Sequence, residues 1–158
     1  MEMKIMWVGA AVLLGWLLSY LFVRQFLFNL LVAKPVINNM RKADKDLIAP
    51  GADKYTAVSL GICGFFVVIA LVILFAFCSL YIQISFLVGA VIGGVMVAPG
   101  MKPENRAMFD SFCLTYFRFV PDDELRTAMY NKKPSQMKLR LHDMGLSTDF
   151  IPTFAKEK

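Results

Sequence analysis

Residues 56–98 contain no Asp, Glu, Lys, Arg or His, and their most polar side chain is Gln83. As one helix at about 1.5 Å per residue this run would be roughly 60 Å long, about twice the ~30 Å of hydrocarbon in a bilayer. Because unpaired backbone amides are too costly in lipid, the pattern predicts two helices joined by a tight turn at an interface. Ser79, Tyr81, Gln83 and Ser85 concentrate the polar atoms, which puts the turn within 78–85. The hairpin helices are then expected at 57–77 and at 84–98, the second able to begin a few residues earlier.

A further apolar run, 5–23, follows a short N-terminus carrying Glu2 and Lys4. Its end, Leu18-Ser19-Tyr20-Leu21-Phe22, offers no small-x-small cleavage site, so it reads as an uncleaved first span. With 5–23 in the hydrocarbon, Arg24 reaches the headgroups; shifting the span to 13–33 would put Arg24 near mid-bilayer at a cost of about 2.5–3.5 kcal/mol. The first register is therefore expected, with 25–33 continuing the helix through the interface until Lys34-Pro35 stops it. Arg24 and Asn29 are candidates for an intramembrane polar contact to a partner helix.

Between the spans, 34–55 is polar, with a short charged helix expected over 39–47 and a turn at Pro50-Gly51. After Pro99-Gly100 the tail resumes an amphipathic pattern. Pro103-Glu104 suits a helix start, and Met108, Phe109, Phe112, Cys113, Tyr116 and Val120 then recur at spacings of three and four. An apolar aromatic face directly after a span is expected on the membrane surface or on a partner protein, with Met108, Phe109, Phe112 and Tyr116 as its contact residues. Asp122, Asp123 and Glu124 read as a helix N-terminus running to about Asn131, because carboxylates there cap free amides and favour the helix dipole. Ser135 is expected to cap a third helix through Met144, stopped by Gly145. Residues 146–158 have no helical period, and either fold back on the tail helices or serve as a peptide for a partner.

Composition agrees with the pattern. The chain has 158 residues, is 58% hydrophobic and carries a formal charge of +5, with 17 Lys plus Arg against 12 Asp plus Glu. Apart from Lys4 and Arg24, every base lies in 34–54 or after Ala98. Bases of this kind mark the cytoplasmic side, so both polar segments are expected there, the turn near Tyr81 outside and the N-terminus outside. Lys4 opposes that orientation and Glu2 partly offsets it. Acids are interleaved with the bases throughout, which argues against nucleic acid as a partner.

The fold expected is an all-α integral membrane protein with three transmembrane helices, an N-terminal helix plus a helical hairpin, and a short-helix cytoplasmic C-terminal tail. Its segments are 1–33, 34–55, 56–99 and 100–158, in the cell (inner) membrane. Small residues recur at four-residue spacing, as Ala57 and Gly61 in one hairpin helix and as Gly89 with Gly93 and Ala90 with Gly94 in the other. Such residues let backbones approach where hydrophobic contrast is absent, so they are the expected helix-packing positions, within the hairpin, to a second copy or to another subunit.

Catalytic chemistry has little foothold. Phosphate-loop, dinucleotide, zinc-protease and nucleophile-elbow motifs are absent, and Cys63, Cys78 and Cys113 lack metal spacing and a neighbouring His. No cofactor, metal or enzyme activity is expected. Three function classes remain. The first is a non-enzymatic accessory or scaffold subunit of a secretion, conjugation or transport assembly, its partners being membrane lipid and other membrane subunits or itself. The second is a homo-oligomeric channel or small transporter, using Arg24, Gln25, Asn29, Ser59, Gln83 or Ser85. The third is a lipid-acting enzyme using Asp110, His142 or Asp143.

Overall fold

Arg24 does not end the first helix, and neither does Lys34-Pro35. In the computed structural model α1 spans Glu2–Leu18, a widened turn of π-helix type covers Ser19–Val23, α2 is Arg24–Leu27, a second widened turn covers Phe28–Ala33, and α3 is Lys34–Ala43. The expected stop at Pro35 is thus corrected. A proline ring in a regular α-helix clashes with the carbonyl four residues earlier, here Leu31, and the widened turn containing Leu31 moves that carbonyl aside. The short helix expected over 39–47 is likewise replaced. Helix α3 ends at Ala43, where Asp44 turns extended, and Pro50 precedes the first residue of α4 instead of terminating a helix.

Helix α4 runs Gly51–Phe77 and α5 runs Leu80–Val97, so the hairpin turn narrows to Cys78 and Ser79. Gln83 explains why α5 starts early: its amide Nε2 donates to the Cys78 carbonyl at 2.9 Å and to that of Leu74 at 3.4 Å, meeting carbonyls that the end of α4 leaves open. After a single 3-10 turn, Ala98–Gly100, come α6 (Arg106–Tyr116), a second 3-10 turn (Phe117–Phe119), α7 (Asp123–Tyr130) and α8 (Pro134–Asp143). The structure describes the backbone of residues 2–154 and the side chains of residues 5–154. The side chains of Glu2 and Lys4, weighed above for orientation, and residues 155–158 of the tail lie outside the described residues.

The described residues are helical with no strand, and three helices, Ile5–Ala43, Gly51–Phe77 and Leu80–Gly100, are long and apolar enough to cross a membrane. The chain divides into two units: residues Met1–Leu27 with Val58–Gly100, and residues Phe28–Ala57 with Met101–Lys158.

In the first unit α1 and α5 run parallel and in close contact, since Val12 lies at Gly89 and Trp16 at Gly93. Helix α4 is antiparallel to α1: Trp7 and Cys78 line one cavity, while fifteen residues after Trp7, in the widened turn that continues α1, the ring of Phe22 stacks on Phe66 at 5.3 Å. Large apolar side chains of α4 such as Val58, Phe65, Val68, Val72 and Phe75 face outward. That arrangement suits a lipid solvent, where burying them gains nothing.

The second unit is built from both polar segments. Residues 34–55 are no free loop: the Ala49 N–H donates to the Phe119 carbonyl at 2.8 Å, and Val36, Ile37, Met40 and Ile48 are as buried as Phe109, Phe112 and Tyr116 in the tail. Helix α7 starts where the carboxylates foretold, with Asp122 accepting from the Leu125 N–H at 2.8 Å. Asn105, not Pro103-Glu104, opens α6, its side chain accepting from the Ala107 N–H at 3.0 Å. Pro134 rather than Ser135 begins α8. Helices α7 and α8 both end in a left-handed residue closed by paired bonds, Lys132 (φ 54°) and Gly145 (φ 71°). At Gly145 these are Leu146 N–H to Leu141 and Gly145 N–H to His142, both 2.9 Å. Beyond it the chain folds back, burying Phe150 and Ile151 and setting Phe154 against Phe109 at 5.8 Å between ring centres.

Candidate functional site

The small residues named from the sequence separate into two sets. Gly89 and Gly93 are buried against α1, and a Cβ on Gly93 would stand 2.8 Å from the Trp16 carbonyl oxygen. Ala90 is half-buried beside Leu18 and Phe86. Ala57 is exposed, and Gly61 and Gly94 have open space where a Cβ would sit. The reciprocal contact comes from Gly15, which meets the Phe86 carbonyl. Sequence reading did not single it out, although Ala11, Gly15 and Ser19 repeat the same four-residue spacing. The close helix pair is therefore α1 with α5.

Between that pair and α4 the first unit holds two apolar cavities. One, of about 300 Å³, is lined by residues including Trp7, Leu14, Leu18, Ile73, Leu74 and Phe86. The other, of about 210 Å³, shares Leu18, Ala70 and Phe86 with it, and Ser19 is the one hydroxyl in its lining. A wall of this kind offers an ion nothing to replace its hydration shell.

Arg24, Asn29, Gln83 and Ser85, considered for a pore or an intramembrane contact, have partners close at hand. The Arg24 guanidinium donates to the Tyr20 hydroxyl at 3.0 Å and lies over its ring at 5.4 Å, while Ser85 donates to the Tyr81 carbonyl at 2.6 Å. Arg24 and Asn29 do not act as one group. Asn29 is fully buried in the second unit, its side chain 3.4 Å from the Tyr116 hydroxyl.

Tyr116 is the centre of a buried polar relay. Its hydroxyl lies 2.8 Å from that of Thr56, and Thr56 in turn donates to the Ala52 carbonyl at 2.8 Å. Thr56 and Tyr116 each have one proton to give: Thr56 places its proton on Ala52, and the phenol's single proton serves either the Thr56 oxygen or the nearby Asn29 Oδ1, one at a time. Burial raises the Tyr116 pKa above its ordinary value and keeps the phenol protonated for this task. The relay ties the start of α4 to the tail, a link between residues 60 apart that no local motif could reveal.

The surface role expected for Met108, Phe109, Phe112 and Tyr116 is corrected. Phe109, Phe112 and Tyr116 are fully buried and Met108 is nearly so, all within the second unit's own core. Their spacing reported one face of a helix correctly. What covers that face is the segment 28–57 and the returning chain at Phe150 to Phe154. The exposed large apolar groups on the tail are instead Leu114, Tyr130, Leu139 and Met144.

Among the described residues, the groups named for lipid chemistry do not assemble. Asp110 pairs with Arg106 at 2.9 Å, and His142 is exposed. Burial, with the Asp110 charge adding to it, pushes the Cys113 thiol up to about 12, so it is no nucleophile at neutral pH. Asp143 lines a cleft of about 470 Å³ between α7 and α8 with Asp123, Glu124 and Arg140, and neither His142 nor Asp110 is part of that lining. Arg140 also holds Asp122 at 2.7 Å, and this hydrogen bond keeps the Asp122 carboxyl below its ordinary pKa. No three His, Cys, Asp or Glu among the described residues gather as a metal site. No family model, curated protein or solved structure matches the chain.

Proposed function

We propose that the protein is a non-enzymatic accessory or scaffold subunit of a larger membrane assembly. Its three apolar helices cross the cell membrane with the N-terminus outside, and the second unit is its cytoplasmic docking body. The observation that carries the reading is the second unit itself. Two chain segments flanking the hairpin close on a buried core that includes Asn29, Tyr116 and Thr56, which makes a compact unit in which no catalytic groups converge among the described residues. The apolar cavity walls, and the local partners of Arg24, Gln83 and Ser85, weigh against a conducting path.

The test is purification of a tagged copy at native expression in mild detergent. Other membrane proteins should co-elute with it in a species larger than the monomer. A clean monomer under those conditions refutes the scaffold role. A reporter fused after Phe154 should read as cytoplasmic, and an external reading would overturn the orientation.

A further inference from the structure

Arg118 lies in the 3-10 turn between α6 and α7 and is exposed. Its guanidinium rests on two rings, 4.8 Å from the centre of Tyr55 and 5.2 Å from that of Phe119. Those rings are 5.7 Å apart and tilted 44° to each other, so the guanidinium lies over two inclined faces. Arg118 forms no ion pair among the described residues, and Asp53, two positions before Tyr55, is taken by Arg41. Tyr55 is the last residue before the charge-free run that begins at Thr56, and Lys54 stands beside it.

We infer that Arg118 binds the phosphate of an anionic phospholipid headgroup, held over Tyr55 and Phe119 at the level where α4 enters the hydrocarbon. Tyrosines at the end of a span sit among the headgroups, so a cation stacked on Tyr55 is held at the same level. A cation–π contact uses none of the guanidinium's N–H donors, and because Arg118 is exposed they remain for a phosphate, which guanidinium geometry suits. Lys54, next to Tyr55 in the chain, adds a second positive charge, and the adjacent Asp53 is paired with Arg41. A neutral interfacial site would need neither charge.

The inference rests on the membrane reading above, and the experiment separates the two. The full chain is reconstituted into vesicles of mixed phosphatidylglycerol and phosphatidylcholine, and insertion is checked by flotation and resistance to alkaline extraction. A protein that fails to insert sinks the membrane reading itself. From inserted protein, the lipids retained after detergent exchange are counted. The wild type should enrich phosphatidylglycerol by about fivefold over the input, the factor expected of one base close to an anionic surface. Arg118→Gln should return the ratio to the input, and Arg118→Lys, which keeps charge without the planar fork, should fall between. High salt should lower the wild-type enrichment, a readout that stands if Arg118→Gln proves unstable. At constant ionic strength, inorganic phosphate should not displace the lipid. No enrichment in inserted wild type, full enrichment in Arg118→Gln, salt-independent retention, or displacement by inorganic phosphate would each overturn the assignment.

Discussion

Replacing Gly89 by alanine tests the seam between α1 and α5. The added methyl would fall inside contact distance of the Val12 carbonyl oxygen, with the Val12 carbonyl carbon at 2.9 Å and the Trp16 nitrogen at 3.0 Å. All three are backbone atoms, so no rotamer change can relieve the clash and the helices must part by about 1 Å. Overpacking of this kind costs about 1–3 kcal/mol, and the better helix propensity of alanine returns at most about 1 kcal/mol. The net expectation is a loss of about 1–2 kcal/mol. Gly94, on the same helix, has nothing within 4 Å of its would-be Cβ, so Gly94→Ala keeps only the propensity gain. The assay is thermal unfolding in mild detergent, followed by helical circular dichroism and by tryptophan fluorescence, since Trp16 lies at the seam. Gly89→Ala should unfold below wild type and Gly94→Ala at or above it. If the two variants unfold together, or Gly89→Ala unfolds higher, the seam is not the contact described.

Lys132 holds a left-handed conformation at the end of α7, so Lys132→Gly should stabilise the second unit by about 0.5–1 kcal/mol in denaturant titration, the conformational relief outweighing the added chain entropy. The Asp122 carboxyl has its folded pKa below the unfolded value of about 3.9, so the stability it contributes is complete above that value and is lost as pH falls through the folded one. Asp122→Asn should therefore flatten the acid limb of a stability profile below about pH 4, and an unchanged limb would remove the Arg140 pair from the account. Cys113, buried with its thiol pushed up to about 12, should resist alkylation at neutral pH in the folded protein and react once denatured, as followed by peptide mass spectrometry.

Much of this molecule is legible along the chain because the responsible physics is local. The charge-free run at 56–98 is too long for one crossing, and a break at Cys78 and Ser79 follows. Asp122 caps α7 and Gly145 ends α8 because a free amide and a left-handed turn have few chemical solutions. Pro35 misleads because its usual effect presumes a regular helix before it, and the widened turn at Phe28–Ala33 removes that premise. Pro50 misleads because the same residue suits a helix start as well as an end.

The sequence by itself determined which residues avoid water, how many helices are long enough to cross a bilayer, and where several of them are capped. Tertiary structure decided what replaces the water. Met108, Phe109, Phe112 and Tyr116 have the same period whether their face meets lipid, a partner or their own chain, and only the closing of 28–57 onto the tail shows that it is their own chain. Likewise, Gly89 and Gly93 announce that some backbone can come near without naming it. In lipid the apolar contrast that would select a partner is missing, so steric fit along whole helices selects it, and the close partner here is α1, with Gly15 completing the fit.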